Sequence, residues 1–100
     1  MDKTELYLYN SFMNERELEK YFKALANQRR LAIVKYLKRK KEASVGGIAK
    51  EIQISLRATS KHLSILFSVD LVEKEQRSLQ IFYSLSANQK SIVKTILSII

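Results

Sequence analysis

The sequence predicts a mainly α-helical α+β domain with one β-hairpin near its end, in the order α-α-α-α-α-β-β-α. Three observations support this prediction. Apolar residues recur at helical spacing from residue 4 to residue 66. Between residues 71 and 85 they give way to two segments rich in strand-forming residues, the second of which alternates apolar and polar side chains. The chain has no proline and only two glycines, so its loops must be short.

The composition limits the number of domains and the kinds of partner. A chain of 100 residues builds one modest core, so we expect a single domain over residues 1–100. Its formal net charge of +8 attracts polyanions, either nucleic acid or anionic lipid. The chain has no apolar run of membrane-spanning length and no signal-peptide pattern at its start, and we expect a cytoplasmic protein. Because cysteine is absent, disulfides, thiolate metal sites and thiol catalysis are excluded.

The first three predicted helices combine apolar stripes with polar N-caps. Residues 4–13 form the first helix. Asn14, with Glu17 three positions later, is typical of a capping box and begins the second helix. Asn27 is placed to cap a third helix over residues 28–39. The first helix has an apolar stripe of Leu6, Tyr9 and Met13. In the third helix we expect Leu31, Val34 and Leu37 to face inward, with Ile33 flanking the stripe.

A long basic stretch covers the second and third helices. Residues 20–41 contain nine basic residues and no acidic one. Cations at the end of the third helix complement its dipole. The stretch therefore fits a solvated helix surface and a phosphate-contacting flank equally well.

Two short helices joined by three residues are the most specific pattern in the chain. Ser44 starts the first of them, which runs to Ile52. Ser55 is placed to cap the second, residues 55–67, which has no acidic residue and an inward stripe of Thr59, Leu63 and Leu66. Alone, this second helix is either an ordinary surface helix or one that enters the major groove of DNA. The tight link before it favours a helix-turn-helix unit.

A β-hairpin follows directly. Residues 71–76 and 79–85 predict its strands, with Arg77 and Ser78 between them as the turn. The turn lacks the Asn-Gly or Asp-Gly pair that favours a two-residue connection. A helix-turn-helix followed by a hairpin is a winged helix-turn-helix.

The last predicted helix, residues 87–100, is apolar around more than half of its circumference, with Ser86 as its cap. Such a helix is either central to the core or part of an oligomer interface. We expect it to pair with residues 4–13 in a dimer. The expected interface residues are Leu6, Tyr9, Met13, Ile92, Val93, Ile96, Leu97 and Ile100.

Three blocks of sequence have a combined order and spacing that points to a known family. They are LANQRRL at residues 25–31, SVGGIA at residues 44–49 and SLRATSKHL at residues 55–63, followed by FYSL at residues 82–85. Together they resemble the ArsR-type winged-helix repressors over nearly the whole chain. The resemblance implies a homodimer whose two recognition helices occupy successive major grooves.

The resemblance also implies which residues contact DNA. Recognition-helix positions would face the major groove, and the wing, residues 76–80, would face the backbone or the minor groove. Leu56 stands where the family often has Gln, so a base contact there would be apolar, as with a thymine methyl group. The expected DNA contacts are Ser55, Leu56, Arg57, Ser60, Lys61, His62, Arg77, Ser44 and Arg30.

The chain departs from the family's metal sensors. These use a cysteine pair near the recognition helix, or carboxylates and histidines on the last helix. Here cysteine is absent and residues 79–100 contain no Asp, Glu or His, so we expect no metal and no cofactor. Asp70 and Ser78 replace common family glycines, and Asp tolerates the left-handed backbone conformation better than most residues.

Three classes of function remain after catalysis is set aside. The one histidine, His62, has no carboxylate or cysteine at helical spacing, and there is no glycine-rich phosphate loop, so we expect no enzyme. The leading hypothesis is a dimeric, sequence-specific regulator of transcription, a repressor, whose partners are double-stranded DNA and a second copy. The alternative is a protein-interaction subunit of a transcription or replication assembly with weak, non-specific DNA binding. Membrane-surface association fits least, because the basic helices already have core-facing stripes.

Overall fold

The computed structural model describes residues 2–3, 14–87, 89 and 91–100, without the side chains of Ser91 and Ile92. The predicted first helix, residues 4–13, lies outside the described residues. Within them the elements follow in the order α1 (Glu15–Leu25), α2 (Gln28–Lys40), β1 (Glu42–Ser44), α3 (Val45–Ile52), α4 (Leu56–Ser68), β2 (Val72–Arg77), β3 (Gln80–Leu85) and α5 (Ser91–Ser98). No helix in this described part is long and apolar enough to cross a membrane.

Side-chain caps fix where four of these helices begin. Each cap accepts a hydrogen bond from a backbone N–H of the first turn, which has no partner inside the helix. In α4, for example, Ser55 Oγ accepts from the Ala58 N–H at 3.0 Å. The predicted caps are confirmed at Asn14, Asn27, Ser44 and Ser55. The predicted cap of the last helix is wrong: α5 begins at Ser91, and Ser86 donates its backbone N–H to Leu71 O at 3.1 Å instead.

The core forms around α2. Ile33, Val34 and Leu37 are buried almost completely. Leu31, expected to face inward, is only half-buried, whereas Ile33 was expected only at the flank. The reason is that α2 packs against α1, α3, α4, β1 and β3, which cover more of its circumference than one apolar stripe.

The helix-turn-helix unit consists of α3 and α4. Gln53 ends α3 in the left-handed conformation, with φ 59°, and Ile54 N–H donates to Ala49 O at 3.2 Å. The predicted inward stripe of α4 is confirmed, because Thr59, Leu63 and Leu66 are fully buried. The buried hydroxyl of Thr59 donates to Ser55 O at 2.8 Å, so its burial leaves no unpaired donor.

The sheet is antiparallel, in the order β1-β3-β2. The hairpin pairs Arg77 with Gln80, so its turn consists of Ser78 and Leu79, one residue later than predicted. Ser78 takes a φ of 56° and Asp70 a φ of 59°, so both non-glycine residues adopt the left-handed conformation. The predicted element order omits β1, which has three residues and is too short to show alternation. With β1 included, the arrangement is a winged helix-turn-helix, as the sequence predicts.

The last helix packs one face into the core of its own subunit. Val93 is fully buried and Leu97 is 7% exposed. These two residues, expected at the dimer interface, therefore belong to the core of the protomer. Lys38 Nζ donates to Leu97 O at 2.9 Å and neutralises the carbonyl end of α5. Ile99, in contrast, is 79% exposed.

Candidate nucleic-acid interface

The exposed face of α4 carries most of the predicted DNA contacts. Leu56 is 60% exposed, and Arg57, Ser60 and Lys61 are exposed as well. They share this face because Thr59, Leu63 and Leu66 turn the opposite side of the helix into the core. The helix has no acidic residue, and neither cation pairs with a carboxylate in the part of the chain that the structure describes. Both charges are therefore available to an anionic ligand.

Arg30 and His62 lie together at the edge of this face. Arg30 Nη1 lies 3.2 Å from His62 Nδ1. The same guanidinium donates from Nε to Ala24 O at 2.5 Å and from Nη2 to Lys23 O at 3.2 Å. These two carbonyls belong to the last turn of α1, where backbone acceptors lack partners within the helix. Arg30 thus joins the end of α1 to α4.

The surroundings of His62 favour its neutral form. Partial burial lowers the pKa of this imidazole below its usual 6.5, and the positive charges of Arg30, Arg29 and Lys61 lower it further. Above the pKa, the ring has one nitrogen that donates and one that accepts.

Arg77, the predicted phosphate contact of the wing, is already held by two carboxylates. It donates to both oxygens of Glu42, at 2.7 and 2.8 Å, and to Glu75 at 3.1 Å. Its guanidinium also lies over the ring of Phe82, 4.8 Å from the centroid. The hydrogen bonds from Arg77 lower the pKa of the Glu42 carboxyl, and the two carboxylates raise the pKa of Arg77. The wing therefore does not present Arg77 as an unpaired cation.

Neither carboxylate could be assigned to Arg77 from the sequence. Arg77 was predicted in the turn, whereas it ends β2, where residues two apart share a face and Glu75 is its neighbour. Glu42 lies on β1, a strand of three residues that the sequence does not predict. At the wing tip, Ser78 is uncharged and Leu79 is 96% exposed.

Ser44 and Ser55 both serve as caps. Ser44 Oγ accepts from Gly47 N–H at 3.0 Å and is half-buried between β1 and α3. Ser55 is exposed at the start of α4, next to Leu56 and Arg57. The structure thus gathers Ser55, Leu56, Arg57, Ser60 and Lys61 on one face, sets Arg30 and His62 at its edge, and places Ser44 and Arg77 on other elements. Among the described residues, no group of three or more His, Asp or Glu could hold a metal ion.

Comparison with known proteins identifies the family. Residues 27–74, which include α2, β1, α3 and α4, match the model of the bacterial regulatory proteins of the arsR family. The chain is 36% identical over 90 residues to the transcriptional activator HlyU of Vibrio cholerae, covering 83% of this chain and 82% of that protein. The chain belongs to the arsR family. This membership confirms the resemblance that the three sequence blocks indicate.

Other relatives and solved structures agree. The arsenical resistance operon repressor of Bacillus subtilis is 32% identical over 71 residues, covering 71% of this chain and 68% of that protein. The structure of reduced HlyU from Vibrio cholerae has a TM-score of 0.74 at 32% identity, covering 86% of both chains. A possible ArsR-family regulator of Mycobacterium bovis, described as a homodimeric winged helix-turn-helix DNA-binding domain, has a TM-score of 0.73 at 24% identity. It covers 99% of this chain and 85% of its own, and it confirms the fold.

Proposed function

We propose that this arsR-family protein regulates transcription by binding double-stranded DNA as a homodimer, with α4 of each subunit in a major groove. The exposed face of α4 carries the proposal, because its two cations are unpaired within the described chain and no carboxylate lies on the helix. The relatives named as transcriptional regulators favour this function over that of a protein-interaction subunit. They also give no support to catalysis, and we assign no catalytic role to any residue.

The side chains on this face suit different parts of a DNA site. Arg57 near the start of α4 can donate two hydrogen bonds to the edge of a guanine, which is the commonest specific contact in the major groove. Ser60 can donate or accept, and Leu56 can contact a thymine methyl group. Lys61 is a flexible cation suited to phosphate.

The dimer would use the surface of α5, and of the two residues after it, that the core leaves free. Val93 and Leu97 face inward. The exposed Ile99 remains for a partner, with the exposed parts of Ile96 and Ile100, which pack partly against the core, and with residues 4–13. One exposed isoleucine beside two half-buried ones forms an apolar surface, and covering it with a second copy would stabilise the dimer.

The direction of regulation is a separate matter. One relative is named an activator and another a repressor. We infer repression by occupancy of DNA, which a reporter gene placed behind a selected binding site would test directly. Expression that falls with increasing protein supports repression, and expression that rises contradicts it. As a bacterial regulator of transcription, the protein would act in the cytoplasm, where the chromosome lies.

The decisive experiment is selection of binding sites from random DNA, followed by salt titration of the dissociation constant. An inverted repeat with half-sites about one helical turn apart supports the dimer and the docking of α4. Lys61→Ala should reduce the slope of log K against log salt by about 1.8, because each lost phosphate contact contributes about 0.9 and a homodimer loses two. Arg57→Ala should mainly reduce discrimination between sites.

Lys20→Ala is the matched control, because Lys20 is an exposed cation on α1, outside the helix-turn-helix unit. This variant has the same change in net charge and should leave the slope nearly unchanged. Equal effects of Lys20→Ala and Lys61→Ala, or tight binding that ignores salt, would contradict the proposed function.

A further inference from the structure

We propose that Arg30 is a positioning residue that holds the proton of His62 on Nε2, so that His62 donates a hydrogen bond to a DNA phosphate. This inference rests on the proposed function and deepens it. In this role Arg30 acts through His62 and does not contact DNA directly, unlike the direct contact predicted from the sequence.

Arg30 is anchored to the end of α1 by its guanidinium group. Its Nε and Nη2 atoms donate to Ala24 O and Lys23 O at the end of α1. Two bonds to the backbone of one helix turn hold the plane of the guanidinium. The remaining nitrogen, Nη1, lies 3.2 Å from His62 Nδ1. All three guanidinium nitrogens therefore have partners within the protein, and Arg30 is not free to extend toward DNA.

The contact between Arg30 and His62 determines which imidazole nitrogen carries the proton. A guanidinium has only donors, so Nδ1 of His62 must be the acceptor. A neutral imidazole whose Nδ1 accepts has its proton on Nε2. A charged imidazole would set an N–H of Nδ1 against an N–H of Arg30 and place two positive charges side by side. The contact thus selects one neutral tautomer, and the lowered pKa of His62 agrees with this selection.

His62 lies on the flank of α4. It lies three residues after buried Thr59 and one residue after exposed Lys61, and it is half-buried. It therefore lies on the flank of the helix, between the core and the face that would enter the groove. The sugar-phosphate backbone borders the groove on that side. A phosphate oxygen accepts hydrogen bonds and cannot donate them, so it requires the N–H at Nε2 that Arg30 maintains.

Two substitutions of His62 separate the two nitrogens. In His62→Asn the side-chain oxygen lies near the place of Nδ1, so it can still accept from Arg30, but the donor at Nε2 is lost. In His62→Gln the amide N–H lies near the place of Nε2, but the acceptor for Arg30 is lost. We expect His62→Asn to weaken DNA binding by about a hundredfold or more, because the homodimer loses two hydrogen bonds to a charged group and each is worth about tenfold or more. We expect His62→Gln to weaken it less.

The salt slope distinguishes this contact from an ionic one. A neutral imidazole releases no counterion, so His62→Asn should leave the slope unchanged, whereas Lys61→Ala lowers it. Arg30→Gln should weaken binding in the wild-type background and have little further effect in the His62→Asn background, because it acts through His62. Circular dichroism melting curves check that each variant is folded.

Nitrogen-15 NMR of the imidazole in the free protein tests the tautomer without DNA. We expect the Nε2–H form in the wild type and a mixture of tautomers in Arg30→Gln. A charged ring at neutral pH, or the Nδ1–H form, overturns the proposal. Binding by His62→Asn that equals the wild type also overturns it, and leaves the proposed function intact if Lys61→Ala still lowers the slope. Failure of the wild type to bind any selected DNA overturns the proposed function and the phosphate contact together.

Discussion

The ion pairs on the outer face of the sheet allow a sharp test of how the wing meets DNA. Arg77 is bound by Glu42 and Glu75, and the side chains of these three residues are 43–67% exposed. Ion pairs that are this exposed contribute little to stability, because water and salt screen the two charges. Because Glu42→Gln retains the shape of the side chain and removes only its charge, we expect the melting curve to stay close to that of the wild type.

The same substitution should strengthen DNA binding. In the wild type, the three charged groups together carry a charge of −1, and Glu42→Gln brings this charge to zero. At about 0.1 M salt, charges act over roughly 10 Å, so a phosphate near the wing would gain attraction. If the freed Arg77 binds one phosphate in each subunit, the salt slope steepens by about 1.8 for the homodimer.

The measurement is a salt titration of the dissociation constant for wild type, Glu42→Gln and two controls. Glu73→Gln removes a charge from the same face, but Glu73 accepts from the Ala87 N–H and not from Arg77. Arg77→Ala alone takes the charge of this group from −1 to −2, so it should weaken binding modestly and leave the salt slope nearly unchanged. Added to Glu42→Gln, it should abolish the gain. An equal gain in DNA affinity in Glu73→Gln would show that the effect comes from net charge and not from release of Arg77. A loss in Arg77→Ala as large as that in Lys61→Ala would show that Arg77 already binds phosphate in the wild type.

Three further predictions concern stability. Leu63 is fully buried, so Leu63→Ala should lower the free energy of unfolding by about 3 kcal/mol, measured with urea; a loss below about 1 kcal/mol would contradict its place in the core. Ser78→Gly should raise the free energy of unfolding by about 1 kcal/mol, seen as a higher melting temperature, because glycine adopts a φ of 56° without strain. Ser78→Val should lower the melting temperature. The pKa of His62 lies below its usual 6.5 only in the folded state, so the unfolded chain binds more protons. The free energy of unfolding should therefore fall as the pH drops below about 6.5. Urea titrations of His62→Gln should lack this contribution to the pH dependence.

Much of the fold follows from interactions between residues close together in sequence. A cap joins groups two or three positions apart, so Asn14, Asn27, Ser44 and Ser55 could be identified from the chain alone. The stripe of α4 follows from the period of the helix, and the hairpin follows from strand-forming residues around a short turn. The helical spacing of apolar residues and the cap Ser55 also identified α4, the helix that presents the candidate DNA-binding face. For the same reason, the blocks that resemble the arsR family lie within local elements.

The sequence predicted which helix would face DNA, and the tertiary structure decided what the neighbouring charges can do. Arg30 meets His62 across 32 residues, and Arg77 meets Glu42 across 35, through a strand too short to leave a pattern. The burial of Val93 likewise depends on the packing of α5 against the rest of the core, not on its own periodicity. Such contacts join residues far apart in sequence, so they leave no local pattern. Many sequences with the same spacing of apolar residues in helices and strands would bring different residues together. Only the packing of α1, α2, β1 and α5 fixes which cations remain available to DNA and which are already bound.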